Sequence, residues 1–193
     1  MKNKSAKILL VFVASILAAG AAAFEQVTLK DNFTGMAVIL YPTDSDNFLF
    51  YGNMPIGYNV LVPSMIFTEV VLLPENEYGM ILESKDGKAR FHVTGGYVMD
   101  DNDDEGTLRE SFDRACETIG GEEEATSFEV GDDYWELIWR EDDDTLHRRK
   151  FLIKKGAGVW SDIEIYNVSP EGDVNPLDKV IDYVIDSLVF ASG

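Results

Sequence analysis

The chain has 193 residues, with 35 Asp and Glu against 16 Lys and Arg, for a formal charge of −19. Its 46% hydrophobic and 26% charged residues are a globular mixture, not the composition of a disordered chain. The acidic balance argues against nucleic acid, whose counterions only clustered cations displace, and against anionic lipid; the single cysteine, Cys116, excludes an internal disulfide or a multi-cysteine metal site.

The N-terminus reads as an address. Lys2, Lys4 and Lys7 form a basic stretch, Ile8 to Ala19 is an apolar run, and Ala21-Ala22-Ala23 supplies small residues for cleavage. These are the three parts of a secretory signal peptide, and the run is short for a membrane span, which takes roughly 20 apolar residues. Cleavage after Ala23 is expected, leaving a 170-residue chain from Phe24 whose charge, three lysines fewer, is −22. No cysteine follows the run, so a lipoprotein anchor is excluded, and no membrane contact is expected after cleavage. A lone cysteine in an exported chain suits a bacterial periplasm. Periplasmic or secreted localisation is the expectation.

Residues 24–47 read as an N-terminal extension and 48–193 as one domain. In the extension, Met36 to Tyr41 has strand composition and ends at Pro42. Short apolar runs follow at Phe48 to Tyr51, Gly57 to Pro63 and Glu69 to Leu73. Tyr78 to Ser84 and Lys88 to Thr94 flank Asp86-Gly87, a hairpin signal because both turn residues tolerate positive φ. Thr107 and Glu110 fit a capping box, and Leu108, Phe112, Ala115, Cys116 and Ile119 share one helical face, with Gly120-Gly121 as the stop. Strands are expected at Ser127 to Val130, Tyr134 to Arg140, Leu146 to Lys154 and Val159 to Tyr166. A helix over Pro176 to Ser187, with Leu177, Val180, Ile181, Val184 and Ile185 as its stripe, precedes the terminal run Leu188 to Phe190. Strands, helix, strands, helix implies an α+β fold, with an antiparallel sheet and helices packed against it.

This layout resembles the PsbP-like superfamily, which includes the Mog-type Ran-binding proteins and a bacterial periplasmic branch. The likeness rests on the Gly57-to-Pro63 strand, the hairpin from Ser84 to Val93, the meander containing Phe151-Leu152-Ile153-Lys154, and the terminal helix and strand from Val180 to Phe190. The tryptophan usual soon after the proline is replaced here by Ser64-Met65-Ile66-Phe67. The resemblance implies an α/β/α sandwich and an accessory or binding role rather than catalysis.

Three local features could carry chemistry. Asp101, Asp103 and Glu105 alternate before Gly106 like the start of a calcium loop, but position twelve, which should be a bidentate Glu, is Phe112. Either a looser calcium site or a solvated loop at a helix N-terminus fits. Glu122-Glu123-Glu124 and Asp142-Asp143-Asp144 read more simply as solubility and turn chemistry. Arg148, Lys150 and Lys154 share one face of a strand, with Arg149 on the other. They suit an acidic partner, or internal pairing with acids such as Glu136 and Glu164. Trp135, Leu137 and Trp139 form a period-two stripe, a binding platform or a core face. The two histidines, His92 and His147, stand in strand-like runs, no G-x-S-x-G elbow or H-E-x-x-H helix occurs, and Cys116 falls on the core stripe. The sequence therefore favours a non-catalytic binding protein of the envelope, its partner another envelope protein or a small ligand. A calcium-dependent module is the alternative, and a carboxylate-based hydrolase a more distant one.

Overall fold

A computed structural model describes residues 26–30, 37–72, 78–98, 104–171 and 175–191. The expected α+β architecture is present, but its strands form two antiparallel sheets rather than one. The first runs β1-β2-β3-β4-β12, built from β1 (Val27–Lys30), β2 (Ala37–Pro42), β3 (Phe48–Asn53), β4 (Tyr58–Pro63) and β12 (Val189–Phe190). The second runs β5-β6-β7-β11-β10-β9-β8. It comprises β5 (Phe67–Leu72), β6 (Met80–Ser84), β7 (Ala89–Tyr97), β8 (Ala125–Val130), β9 (Tyr134–Arg140), β10 (Thr145–Lys154) and β11 (Val159–Val168). The helices are α1 (Asp104–Ile119) and α2 (Pro176–Asp186). No helix among the described residues is long and apolar enough to cross a membrane. The expected leader, residues 1–23, lies outside the described residues.

Period-two patterning assigns the faces of the seven-stranded sheet. In β7, Ala89, Phe91 and Val93 are buried and alternate with half-buried Arg90, His92 and Thr94. The buried set joins Met80, Leu82, Ile163 and Ile165 against Tyr58, Val60 and Val62 of the first sheet and Ile181, Val184 and Ile185 of α2. The other face carries a second core, in which α1 lays Leu108 and Ala115 on Trp135, Leu137, Phe151 and Ile153. The layers are thus the five-stranded sheet with α2, the seven-stranded sheet, and α1.

Part of the segment read above as an extension, residues 37–42, is built into this core. Tyr41 and Pro42 pair with Phe50 and Leu49 of β3, and Val38 and Leu40, two apart, are buried in the core. β1, unmarked in the sequence, pairs with β2 from Val27 to Lys30.

Local chemistry sets the element ends. Asn175 caps α2 by accepting from Leu177 N at 3.0 Å, with Pro176 in the first turn, where a missing N–H costs nothing. The hairpin between β6 and β7 turns through Gly87 at φ +70°, with the Asp86 carboxylate accepting from Ser84 Oγ at 2.7 Å. α1 starts three residues before the expected Thr107 cap. Asp104 instead accepts from Gly156 N at 2.6 Å, tying the helix N-terminus to the β10–β11 turn, while Thr107 Oγ1 is buried without a hydrogen bond among the described residues.

Candidate functional site

α1 covers only the β8–β10 side of its sheet face. At its border a cleft of about 420 Å³ opens between helix and sheet. Thr107, Ser111, Arg114 and Thr118 of α1 form one wall, Tyr97, Val98 and Trp160 the other, and Phe151, Arg149 and Asp162 the floor.

The floor is rigid. Phe151 stacks on Trp135 at 5.8 Å and on Trp160 at 5.6 Å between ring centroids. Trp135 Nε1 donates to Ser111 Oγ at 2.8 Å, binding this aromatic row to the helix. The Trp160 indole lies on Gly96, where there is no side chain to displace it, and donates to Tyr97 O at 3.3 Å. Arg149 stands over the Trp135 ring at 5.5 Å and gives Asp162 a two-pronged bond, Nε to Oδ1 at 3.1 Å and Nη2 to Oδ2 at 2.6 Å. Burial would weaken the Arg149 charge, but Asp162 outweighs it and the guanidinium is held above its ordinary value. Tyr97, 54% exposed, forms the outer rim.

Beyond the cleft the same face carries a grid of polar side chains. His92, Glu164 and Arg149 lie in register across β7, β11 and β10, and Arg90, Tyr166 and His147 form the next row. Burial pushes the Glu164 carboxyl up, yet the hydrogen bond from His147 and the neighbouring Arg149 and His92 hold it below the usual range. His147 is clamped, its ring 4.5 Å from Trp139 and 5.1 Å from Tyr166. Its Nδ1 lies 3.2 Å from Glu164 Oε1, and its Nε2 the same distance from Glu141 Oε1 but off the line of a hydrogen bond. Cys116 is buried on α1 and its thiol is pushed up, first by burial and then by Glu122 and Asp113. The cleft itself is lined by arginine, hydroxyl and flat aromatic side chains.

The basic residues singled out in the sequence take separate places. Arg148 is 5% exposed and points to α2, bonding Asp182 through Nε at 2.5 Å, Asp178 through Nη2 at 3.3 Å and Asn167 through Nη1 at 3.1 Å. Lys150 pairs with Glu136 at 2.6 Å, and Lys154 Nζ donates to Ala191 O at 3.2 Å. Both lysines line a second cleft. Arg149 projects to the opposite face, as period two requires. Asp101 and Asp103 lie outside the described residues. Glu105 is the second residue of α1, and Phe112, at loop position twelve, packs on Trp135 at 5.9 Å and Phe128 at 5.7 Å. Among the described residues, no three His, Cys, Asp or Glu side chains are grouped to hold a metal ion. The Trp135, Leu137 and Trp139 stripe is the core face beneath α1. The residues that sequence reasoning missed, Trp160, Asp162 and Tyr97, reach the cleft from β11 and the end of β7. The only signal for them was Arg149 pointing away from Arg148.

No protein-family model and no curated protein matches this sequence. Among solved structures, the chain is similar to Mog1p, a Ran-binding protein of Saccharomyces cerevisiae, with a TM-score of 0.44 and 8% identity, over 76% of this chain and 96% of that one. A mutant of protein Mog1 gives a TM-score of 0.44 and 8% identity over 75% and 96%.

Proposed function

We propose that this chain is an exported, non-catalytic accessory protein of the bacterial envelope, of the PsbP-like kind, that holds a partner protein in the cleft between α1 and the seven-stranded sheet. The observation that carries this reading is the rigid lining: Trp160 fixed on Gly96, and Arg149 fixed by Asp162 and Trp135. Interfaces draw most of their binding free energy from a few such aromatic and arginine anchors. Anchors already held in place lose little side-chain entropy on association. Support for export is the leader pattern Lys2 to Ala23.

The test places a photocrosslinking residue at Arg114 in the full chain, expressed in its own host, with mass spectrometry of the envelope fraction. The expected result is one adduct in high yield, lost on Trp160→Ala and not formed from the same residue at Glu129 on β8. Equal adducts from both positions, or none from Arg114, overturn the binding reading. Intact mass of the envelope protein should begin at Phe24, and a chain retaining Met1 overturns export by cleavage.

A further inference from the structure

The His147 ring is 7% exposed, and its Nε2 has no hydrogen-bond partner among the described residues. Trp139 and Tyr166 pack on its faces, so the ring is held in one plane. A carboxylate oxygen faces each nitrogen at 3.2 Å, Glu164 Oε1 at Nδ1 and Glu141 Oε1 at Nε2. An ionised carboxylate only accepts, and a neutral imidazole has a single N–H. Glu164, held below the usual carboxylate range, takes that N–H from Nδ1. Nε2 then presents a lone pair to Glu141, acceptor against acceptor, which accounts for Glu141 Oε1 lying off its hydrogen-bond line. The Glu141 side chain is 55% exposed and has water to turn to. Its backbone opens the β9–β10 turn: Glu141 N donates to Thr145 O at 2.9 Å, and Glu141 O accepts from Asp144 N at 3.2 Å. Asp144 is left-handed, at φ +65°, and its O accepts from Ser169 N at 2.9 Å. Ser169 Oγ in turn donates to Asp178 Oδ2 at 2.7 Å, in the first turn of α2.

We propose that His147 is a proton switch for this turn: a second proton, on Nε2, makes the Glu141 contact a charge-assisted hydrogen bond and closes the turn, and its loss releases Glu141 to water. Histidine is the side chain suited to such a change between about pH 5 and pH 8, and bonds of this kind are about twice as strong as neutral ones. The charges around the ring are Glu141 from β9, Glu164 and Tyr166 from β11, Asp143 from the turn and Arg149 two residues along β10. His92 and Arg90 of β7 stand behind Glu164 and Tyr166. Arg149 is taken up by Asp162 and Arg90 by Glu83, so neither cation competes for Glu141. The turn thus lacks one bond that a single proton supplies, and Ser169 carries the closure to the start of α2. The switch operates whether or not the α1 cleft holds a partner.

The experiment follows the His147 ring nitrogens and the exchange of the Glu141 and Asp144 amides by NMR on the full chain, from about pH 8 to about pH 5. Exchange is expressed as protection relative to an unstructured peptide at the same pH, which removes the intrinsic pH dependence. The Nε2 signal should pass from its bare to its protonated position, and protection of the two amides should rise about tenfold with it, one charge-assisted bond to a half-exposed carboxylate. Glu141→Ala, a change at an exposed side chain, should keep protection low throughout. Glu141→Gln should hold it nearly level, because a carboxamide donates to the bare nitrogen and accepts from the protonated one. His92→Gln should leave the wild-type response intact. Nε2 already protonated at pH 8, or still bare at pH 5, overturns the switch. Protection indifferent to the ring's titration does so too, as does a rise that survives Glu141→Ala. A rise abolished by His92→Gln assigns the proton to the other histidine and rejects His147.

Discussion

The indole of Trp160 rests on Gly96 so closely that a methyl group there would stand 2.6 Å from Cζ2 and 2.8 Å from Cε2. A tryptophan stacked on Phe151 and bonded to Tyr97 O cannot step aside. Gly96→Ala should therefore overpack the cleft wall and cost about 1–3 kcal/mol. Urea denaturation checks the cost, and an altered Trp emission maximum reports the displaced ring. Wild-type stability together with wild-type emission would show that the wall yields.

Arg148 joins α2 to the seven-stranded sheet through Asp178, Asp182 and Asn167. Truncation to Ala strands Asp178 and the buried Asn167 without their cation, and should cost about 2–4 kcal/mol. That is below the upper end for buried pairs because Asp182 is 58% exposed and rehydrates. Arg148→Met, which refills the volume, should cost less than Arg148→Ala. Chemical denaturation of both variants tests the order, and equal losses would place the contribution in the charge pairing rather than in packing.

Two groups bend stability in the same direction at different pH. Burial holds the His92 imidazole below its ordinary value, with Arg149 and Arg90 adding to this and Asp162 and Glu164 opposing. The unfolded chain takes up a proton near pH 6.5 that the fold resists, so this contribution is complete above about pH 6.5 and declines as pH falls toward the folded value. At Asp178, burial pushes the carboxyl up, but hydrogen bonds from Ser169 and Asn167 and the Arg148 charge leave it below the usual range. Its contribution is complete above about pH 4 and is lost as pH falls through the folded value. The urea midpoint against pH should descend in two steps, and His92→Gln should remove the upper one alone. An upper step that survives the substitution assigns it elsewhere.

Calcium should leave the melting temperature unchanged. A native-state ligand raises stability by RT ln(1 + [L]/Kd), but α1 is already helical at Asp104 and loop position twelve is a packed Phe112. Scanning calorimetry in millimolar calcium against chelator decides. A rise of several degrees that Asp101→Ala with Asp103→Ala removes would establish the acidic loop as a site.

Much of the fold was legible because burial in strands has period two. Trp135, Leu137 and Trp139, and separately Arg148 against Arg149, fell on the faces their spacing demanded. β9 was readable to the residue, and Asp-Gly marked the β6–β7 turn. β1 was not readable, since Val27–Lys30 is four residues long and mostly exposed, so it bears no alternation of burial. The division into two sheets was hidden for another reason: it depends on which strands pair, and β7 pairs with β11, more than sixty residues away along the chain. The cleft was hidden likewise. Arg149 could be singled out, but its partner Asp162 and the wall at Trp160 are set by the register between β10 and β11.

The last strand closes the first sheet. Val189 and Phe190 pair with Asn59 and Tyr58, and Ala191 N donates to Gly57 O at 2.7 Å. Four of that sheet's strands are synthesised within the first 63 residues, yet its edge stays open until residue 191 is free to reach it. Loop closure over such a distance is slow, and it comes after the local hairpins have formed. The sheet that begins first along the chain is therefore completed by its last described strand. Removing the pairing of Val189 and Phe190 would leave Tyr58 and Asn59 of β4 without a strand on that side, so this edge depends on residues more than 125 positions further along the chain.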